Sequence, residues 1–101
     1  MLVVEIPSKR RFELGRVVVT QGALAALGDN DAARSTACSQ LLAKHAAGDW
    51  GQCGKHDAKV NEEALVRGQR LLSVYTVRDQ RIWVITEADR SATTILLPSD
   101  Y

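Results

Sequence analysis

From Leu71 to Leu97 the chain is three β-branched and aliphatic runs separated by short polar breaks, and no other stretch restricts its fold as strongly. In Leu71 to Val77, Leu72, Val74 and Thr76 alternate with Ser73, Tyr75 and Val77, which is the two-residue period of a strand. Arg78-Asp79-Gln80 is a tight connection into a second strand, Arg81 to Thr86. Glu87 to Ala92 forms a polar corner, and Thr93 to Leu97 is a third strand that Pro98 ends. Consecutive strands joined by short turns pair antiparallel, so this segment reads as a three-stranded meander. Apolar side chains fall on both alternating sets. If helices cover one face, the other is left as a candidate association surface.

The middle of the chain has a different period. Ala33, Ala37, Leu41 and His45 recur at four-residue steps, flanked by Cys38 and Leu42, while Arg34, Ser35, Gln40 and Lys44 fall elsewhere on the wheel. This predicts a helix capped by Asp31 and running through Ala47, with Gly48 as its stop. A shorter helix, Gln21 to Leu27, lies between Thr20 as cap and Gly28. A third, with Asp57 as cap, runs to Arg67 with Val60, Ala64 and Leu65 inward and Gly68 at its end. Upstream, Phe12 to Thr20 reads as a strand, with Gly15 marking a bulge or close backbone approach. Leu2 to Ile6, within a leading segment 1–11, reads as an extra short strand.

These elements give an α+β fold, in which a helical middle section packs on one face of a mostly antiparallel sheet of four or five strands. A chain of 101 residues forms one domain, since halves of that length would bury too little surface to fold separately. Thirteen basic and twelve acidic residues nearly cancel, which gives no footprint for duplex nucleic acid. The local cluster Lys9-Arg10-Arg11 reads as a solvated turn. No stretch approaches the ~20 apolar residues of a membrane span. Without a secretory signal, the expectation is a cytoplasmic protein with Cys38 and Cys53 as free thiols.

Three groups of residues have the chemistry for a site. Cys38, His45, Cys53 and His56 are zinc-type donors. However, Cys38 and His45 stand nearly two helical turns apart, and each has a sufficient structural role, so no metal or other cofactor is expected. Glu87, Asp89 and Arg90, with Thr93 nearby and His45 from the helical layer, form a candidate catalytic set. A carboxylate and an imidazole would move protons while the guanidinium holds a phosphate. The plainer reading is a charged turn. Asp49, Trp50, Asp57 and Asn61, together with Thr93, form a candidate binding set in which Trp50 stacks on a base or anchors a partner, against a plainer reading as helix cap, core plug and ordinary strand residue.

The motifs Phe12-Glu-Leu-Gly15, Gln21-Gly-Ala-Leu24, His45-Ala-Ala-Gly-Asp-Trp-Gly51, Ile82-Trp-Val-Ile-Thr-Glu-Ala-Asp-Arg-Ser91 and Thr93-Thr-Ile-Leu-Leu-Pro98 resemble a family of small uncharacterised bacterial proteins. These are carried on plasmids, genomic islands and gene cassettes. The resemblance spans Phe12 to Tyr101 and includes His45, Asp49, Trp50, Asp57, Asn61, Glu87, Asp89 and Arg90. The alanine-rich stretch from Asn30 to Ser39 and the leading segment depart from it. It implies a mobile-element setting rather than an activity. The order of helices before a meander is similar to barnase/RelE-type ribonucleases at the level of fold alone.

The resulting expectation is an accessory protein that acts by association with a protein partner or with itself. The alternatives are a small metal-independent ribonuclease and a single-stranded nucleic-acid binding module.

Overall fold

The computed structural model describes residues 2–101. Its elements are β1 (Arg16–Val19), α1 (Gln21–Leu27), α2 (Asp31–Ala46), α3 (Gly54–Arg67), β2 (Leu71–Val77), β3 (Gln80–Thr86), β4 (Ala92–Leu96) and a closing 3-10 turn, Pro98–Asp100. The strands form one four-stranded sheet in the order β1-β4-β3-β2. The C-terminal meander is antiparallel throughout, while β1 joins it parallel to β4, with Val17 beside Thr93 and Val19 beside Ile95. The architecture is α+β, with a mixed sheet. The parallel pair arises because three helices lie between β1 and β2, and this long excursion lets the chain return in either direction.

The helices pack on the sheet face made by Leu71, Ser73, Tyr75, Ile82, Val84, Thr86, Thr93 and Ile95. Leu14, Ala23, Leu27, Cys38, Leu41, Leu42 and Ala46 close the main core against it. A smaller cluster of Trp50, Ala64 and Leu71 sits beneath α3. By register the opposite face carries Val18, Thr94, Leu96, Trp83, Ile85, Leu72 and Val74. Val74, Ile85 and Leu96 are buried there, yet belong to neither core cluster. The C-terminal turn reaches this face, where Tyr101 meets Trp83 edge-on at 5.8 Å and stacks beneath the Arg70 guanidinium.

Local chemistry accounts for most boundaries. Thr20 caps α1 by accepting from the Ala23 N–H at 3.1 Å. Asn30, rather than Asp31, caps α2, accepting from the Ala33 N–H at 2.9 Å, and Asp31 falls in the first turn. Helix α3 begins at Gly54, three residues before Asp57, with no side-chain cap. Asp57 is therefore a first-turn acid favoured by the helix dipole rather than a cap. Gly68 ends α3 in the left-handed region at φ 67°. Ala33 and Val60, both expected inward, are exposed. Gly15, at φ 63°, packs so closely on the backbone of Arg90 and Ser91 that a Cβ would overlap it, which is the close approach read from its place in the strand pattern.

The leading segment is not a strand. Met1 lies outside the described residues. Residues 2–7 run along α2, where the Val3 and Glu5 N–H groups donate to the hydroxyls of Ser35 (3.1 Å) and Ser39 (3.0 Å). These serines offer side-chain acceptors two residues of extended chain apart, and the sheet edge is not needed. Among the described residues no helix is long and apolar enough to cross a membrane.

The β2 edge is closed by side chain and loop. Asn61 donates Nδ2–H to the Leu72 carbonyl at 2.7 Å and accepts from the Leu72 N–H at 3.0 Å, as a neighbouring strand would. Two residues on, the Val74 N–H donates to the Trp50 carbonyl and the Gln52 N–H to the Val74 carbonyl. Asn61→Ala strands both polar groups of Leu72, and a loss of about 2 kcal/mol is expected from their unmade hydrogen bonds. Guanidinium-chloride titration of the variant checks this.

Candidate functional site

The residues singled out by the sequence fall into one buried network and an exposed periphery. His45 stands in the last turn of α2 and is fully buried. Its Nδ1 lies 2.5 Å from the Ser73 hydroxyl and its Nε2 lies 2.9 Å from that of Thr86. Thr86 is 2.7 Å from Thr93 Oγ1, which donates to the Leu14 carbonyl at 2.7 Å. That carbonyl can only accept, so it sets the direction of the whole chain. Thr93 spends its one proton on Leu14, so Thr86 must donate to Thr93, and His45 Nε2–H must donate to Thr86. Ser73 then donates to the bare Nδ1. The imidazole is held as one neutral tautomer.

Aromatic rings wall the imidazole in. Phe12 meets it edge-on at 5.2 Å and Trp50 at 5.8 Å, and these two rings stack on each other at 6.2 Å. Burial, reinforced by the nearby positive charge of Arg90, pushes the His45 pKa down to about 3. Trp50 is tied in by its indole N–H, which donates to Glu62 Oε2 at 2.9 Å. Glu62 in turn receives both arms of Arg11, at 3.0 and 2.8 Å. Arg11, and next the indole, hold the Glu62 carboxyl below its usual range.

Arg90 occupies a left-handed backbone position at φ 61° and sits over the Phe12 ring, 5.8 Å from its centroid. Its guanidinium donates to four backbone carbonyls, those of Gln69 (2.7 Å), Glu87 (3.0 Å), Ala88 (3.2 Å) and Ala64 (3.3 Å). It thus clamps the end of α3 to the corner between β3 and β4. Asp89 is exposed and accepts from the Ser91 N–H at 3.0 Å. Hydrogen bonds from Ser91, side chain first and then backbone, lower its pKa. Glu87 is exposed, and its backbone closes the same turn.

His45, Glu87, Asp89 and Arg90 therefore do not share an open cleft. The imidazole has no surface, the guanidinium is spent on carbonyls, and the two carboxylates face solvent. Of the binding candidates, Trp50, Asn61 and Thr93 are buried and structurally bonded, and Asp57 is exposed on α3. Asp49 accepts from the Gly51 N–H at 3.1 Å through Oδ1, and its carbonyl accepts from the Tyr75 hydroxyl. It borders a shallow surface hollow of about 360 Å³ together with Lys44, Gln52 and Thr76. Cys38 and Cys53 are free thiols, both pushed up by burial. Among the described residues no three His, Cys, Asp or Glu side chains cluster as a metal site would require.

Sequence reasoning passed over Phe12, Glu62 and Ser73. Ser73 carried a signal, as a lone small hydroxyl on the otherwise apolar stripe of β2. The remaining surface with the character of a binding site is the face opposite the helices. Trp83 and Leu72 are half-buried there and Val18 is exposed, around the buried Val74, Ile85 and Leu96, with Arg16, Thr76 and Arg81 at the rim. Comparison with family models, curated proteins and solved structures found no match to this chain.

Proposed function

We propose that this chain is an accessory protein acting by protein–protein association, and that the helix-free face of its sheet makes the contact. The observation that carries this reading is the composition of that face. Half-buried Trp83, Leu72 and Thr94 and exposed Val18 lie over the buried Val74, Ile85 and Leu96, with Arg16 and Arg81 at the rim. A partly open tryptophan among aliphatic side chains and arginines has the make-up of a contact surface rather than of a solvated sheet surface. The resemblance of the Ile82–Ser91 and Thr93–Pro98 motifs to proteins of bacterial mobile elements supplies the setting. Two features weigh against acid–base chemistry: the fully buried, single-tautomer His45 cannot reach a substrate without local unfolding, and the Arg90 guanidinium is already committed to four backbone carbonyls.

A photo-crosslinking amino acid at Thr94 or Thr76 on this face, compared with one at the exposed Val66 of α3, tests the reading in the native host. Discrete adducts are expected from the sheet positions and not from Val66. Adducts from neither sheet position would sink the proposal. So would RNA cleavage by the purified chain that disappears with Glu87→Gln.

A further inference from the structure

The two edges of the sheet are treated very differently. At β2 the outward-facing groups of Leu72 and Val74 are bonded to Asn61, Trp50 and Gln52. At β1 the inward side is fixed by the Arg16 N–H to the Ser91 carbonyl (2.9 Å) and the Thr20 N–H to the Ile95 carbonyl (3.0 Å). A parallel ladder uses alternate residues, so Val18 bonds to β4 as well, and the N–H and C=O groups of Val17 and Val19 point away from the sheet. No neighbouring element among the described residues takes them up. This edge is short and carries Arg16 at one end, but its β-branched centre, Val17 to Val19, has no proline or bulge to stop another strand from pairing with it.

Resting on the association reading above, we infer that β1 pairs antiparallel with β1 of a second copy of this chain across a two-fold axis at Val18. In that register Val17 of each copy faces Val19 of the other. Each such pair exchanges both backbone hydrogen bonds, which employs all the free groups at once. The exposed Val18 side chains meet at the axis, and Arg16 lies opposite the second copy's Thr20.

That last juxtaposition argues for self-pairing over an unrelated strand. Thr20 donates its hydroxyl to Asp100 Oδ2 at 2.6 Å, so a carboxylate stands beside the position that Arg16 of the other copy reaches. Hydrogen bonds from Thr20, first, and from the Leu97 N–H hold Asp100 below the usual carboxylate range, so it is ionised at neutral pH. Arg16 has no ion-pair partner within its own chain among the described residues. The edge is thus self-complementary in hydrogen bonding, shape and charge. Because the opposite edge is capped, pairing stops at two copies instead of growing into a fibre. The two helix-free faces become one continuous surface on an eight-stranded sheet, twice the four strands of one chain.

An edge pairing of this size belongs with small, weak interfaces, so the association is read across a concentration series by sedimentation equilibrium. Amide exchange at Val17 and Val19 is followed by NMR in parallel. A monomer–dimer equilibrium is expected, with both amides protected in proportion to the dimer. Val17→Pro removes an N–H that the fold itself does not use, and should abolish the dimer. Arg16→Asp should weaken dimerisation about tenfold through two lost and reversed ion pairs, and Asp100→Lys in the same chain should restore it. Circular dichroism confirms folding of each variant. If Val17→Pro fails to fold, the charge exchange alone decides.

A chain that stays monomeric at the highest concentration, with fast exchange at Val17 and Val19, overturns the pairing. So does a dimer indifferent to both edge variants. Either result leaves the association reading standing if Thr94 or Thr76 still crosslinks to another protein. Loss of those adducts removes the wider reading instead.

Discussion

His45→Ala is expected to destabilise the fold by about 4 kcal/mol, the combined cost of a cavity in a packed core and of stranded buried hydroxyls. The ring fills the space between Phe12 and Trp50, and its removal leaves Ser73 without an acceptor and Thr86 without a donor. Chemical denaturation measures the loss directly. A variant within about 1 kcal/mol of the parent would mean that the hydroxyl chain repairs itself and that the network contributes little.

The same residue gives the stability an acid limb. Its pKa is about 3 in the folded protein against an ordinary 6.5, so between those values the unfolded chain takes up a proton that the folded chain refuses. Stability is therefore fully present above pH 6.5 and falls as pH drops toward 3. The slope for this one group approaches about 1.4 kcal/mol per pH unit. The depressed carboxyls of Asp31, Glu62, Asp89 and Asp100 also favour the folded state, but their contribution is lost only at lower pH, near and below their ordinary values of 3.8 and 4.5. The interval from pH 6.5 to 5 thus isolates the imidazole, and a fall of about 2 kcal/mol is expected across it. His45→Gln should flatten that interval, and an unchanged slope would assign the titration elsewhere.

Arg90→Ala is the second large effect, at about 3 kcal/mol. The guanidinium is a charge-assisted donor to four carbonyls from two separate segments, and its loss leaves the end of α3 and the β3–β4 corner unjoined. Arg90→Lys should recover little, because a single ammonium cannot reproduce a planar fork aimed at carbonyls on different sides. Arg90→Gly should fare about 1 kcal/mol better than Arg90→Ala, since the backbone at φ 61° favours a residue without Cβ. Thermal unfolding of the three variants tests this order. A well-tolerated Arg90→Lys would show that charge rather than geometry holds the corner.

The sequence disclosed the parts of this fold that depend on near neighbours. Alternation placed β2 from Leu71 to Val77, Thr20 and Gly68 marked helix ends, and the four-residue stripe put His45 on the core side of α2. It was silent where the partner lies far along the chain. The parallel pairing of β1 with β4 joins residues across the whole helical section, and periodicity has no term for direction. Residues 2–7 have strand-like composition, but their N–H groups are claimed by Ser35 and Ser39, an arrangement visible only once α2 is folded. Helix α3 starts at Gly54 without a capping side chain, so there was no signal to read. The candidate site failed to assemble for a related reason. Glu87, Asp89 and Arg90 are adjacent in sequence, but whether a guanidinium faces a ligand or its own backbone depends on where Ala64 and Gln69 come to rest.

The sheet also separates the chain's two tryptophans. Trp50 lies on the helix side against His45, and Trp83 lies on the open side against Tyr101. Their emission should therefore report on two different events without any added label. The buried indole follows core opening and the charge state of the imidazole beside it, and the half-exposed one follows whatever comes to lie on the open face. Replacing each in turn with phenylalanine would give two single-channel proteins, one blind to docking and the other nearly blind to acid.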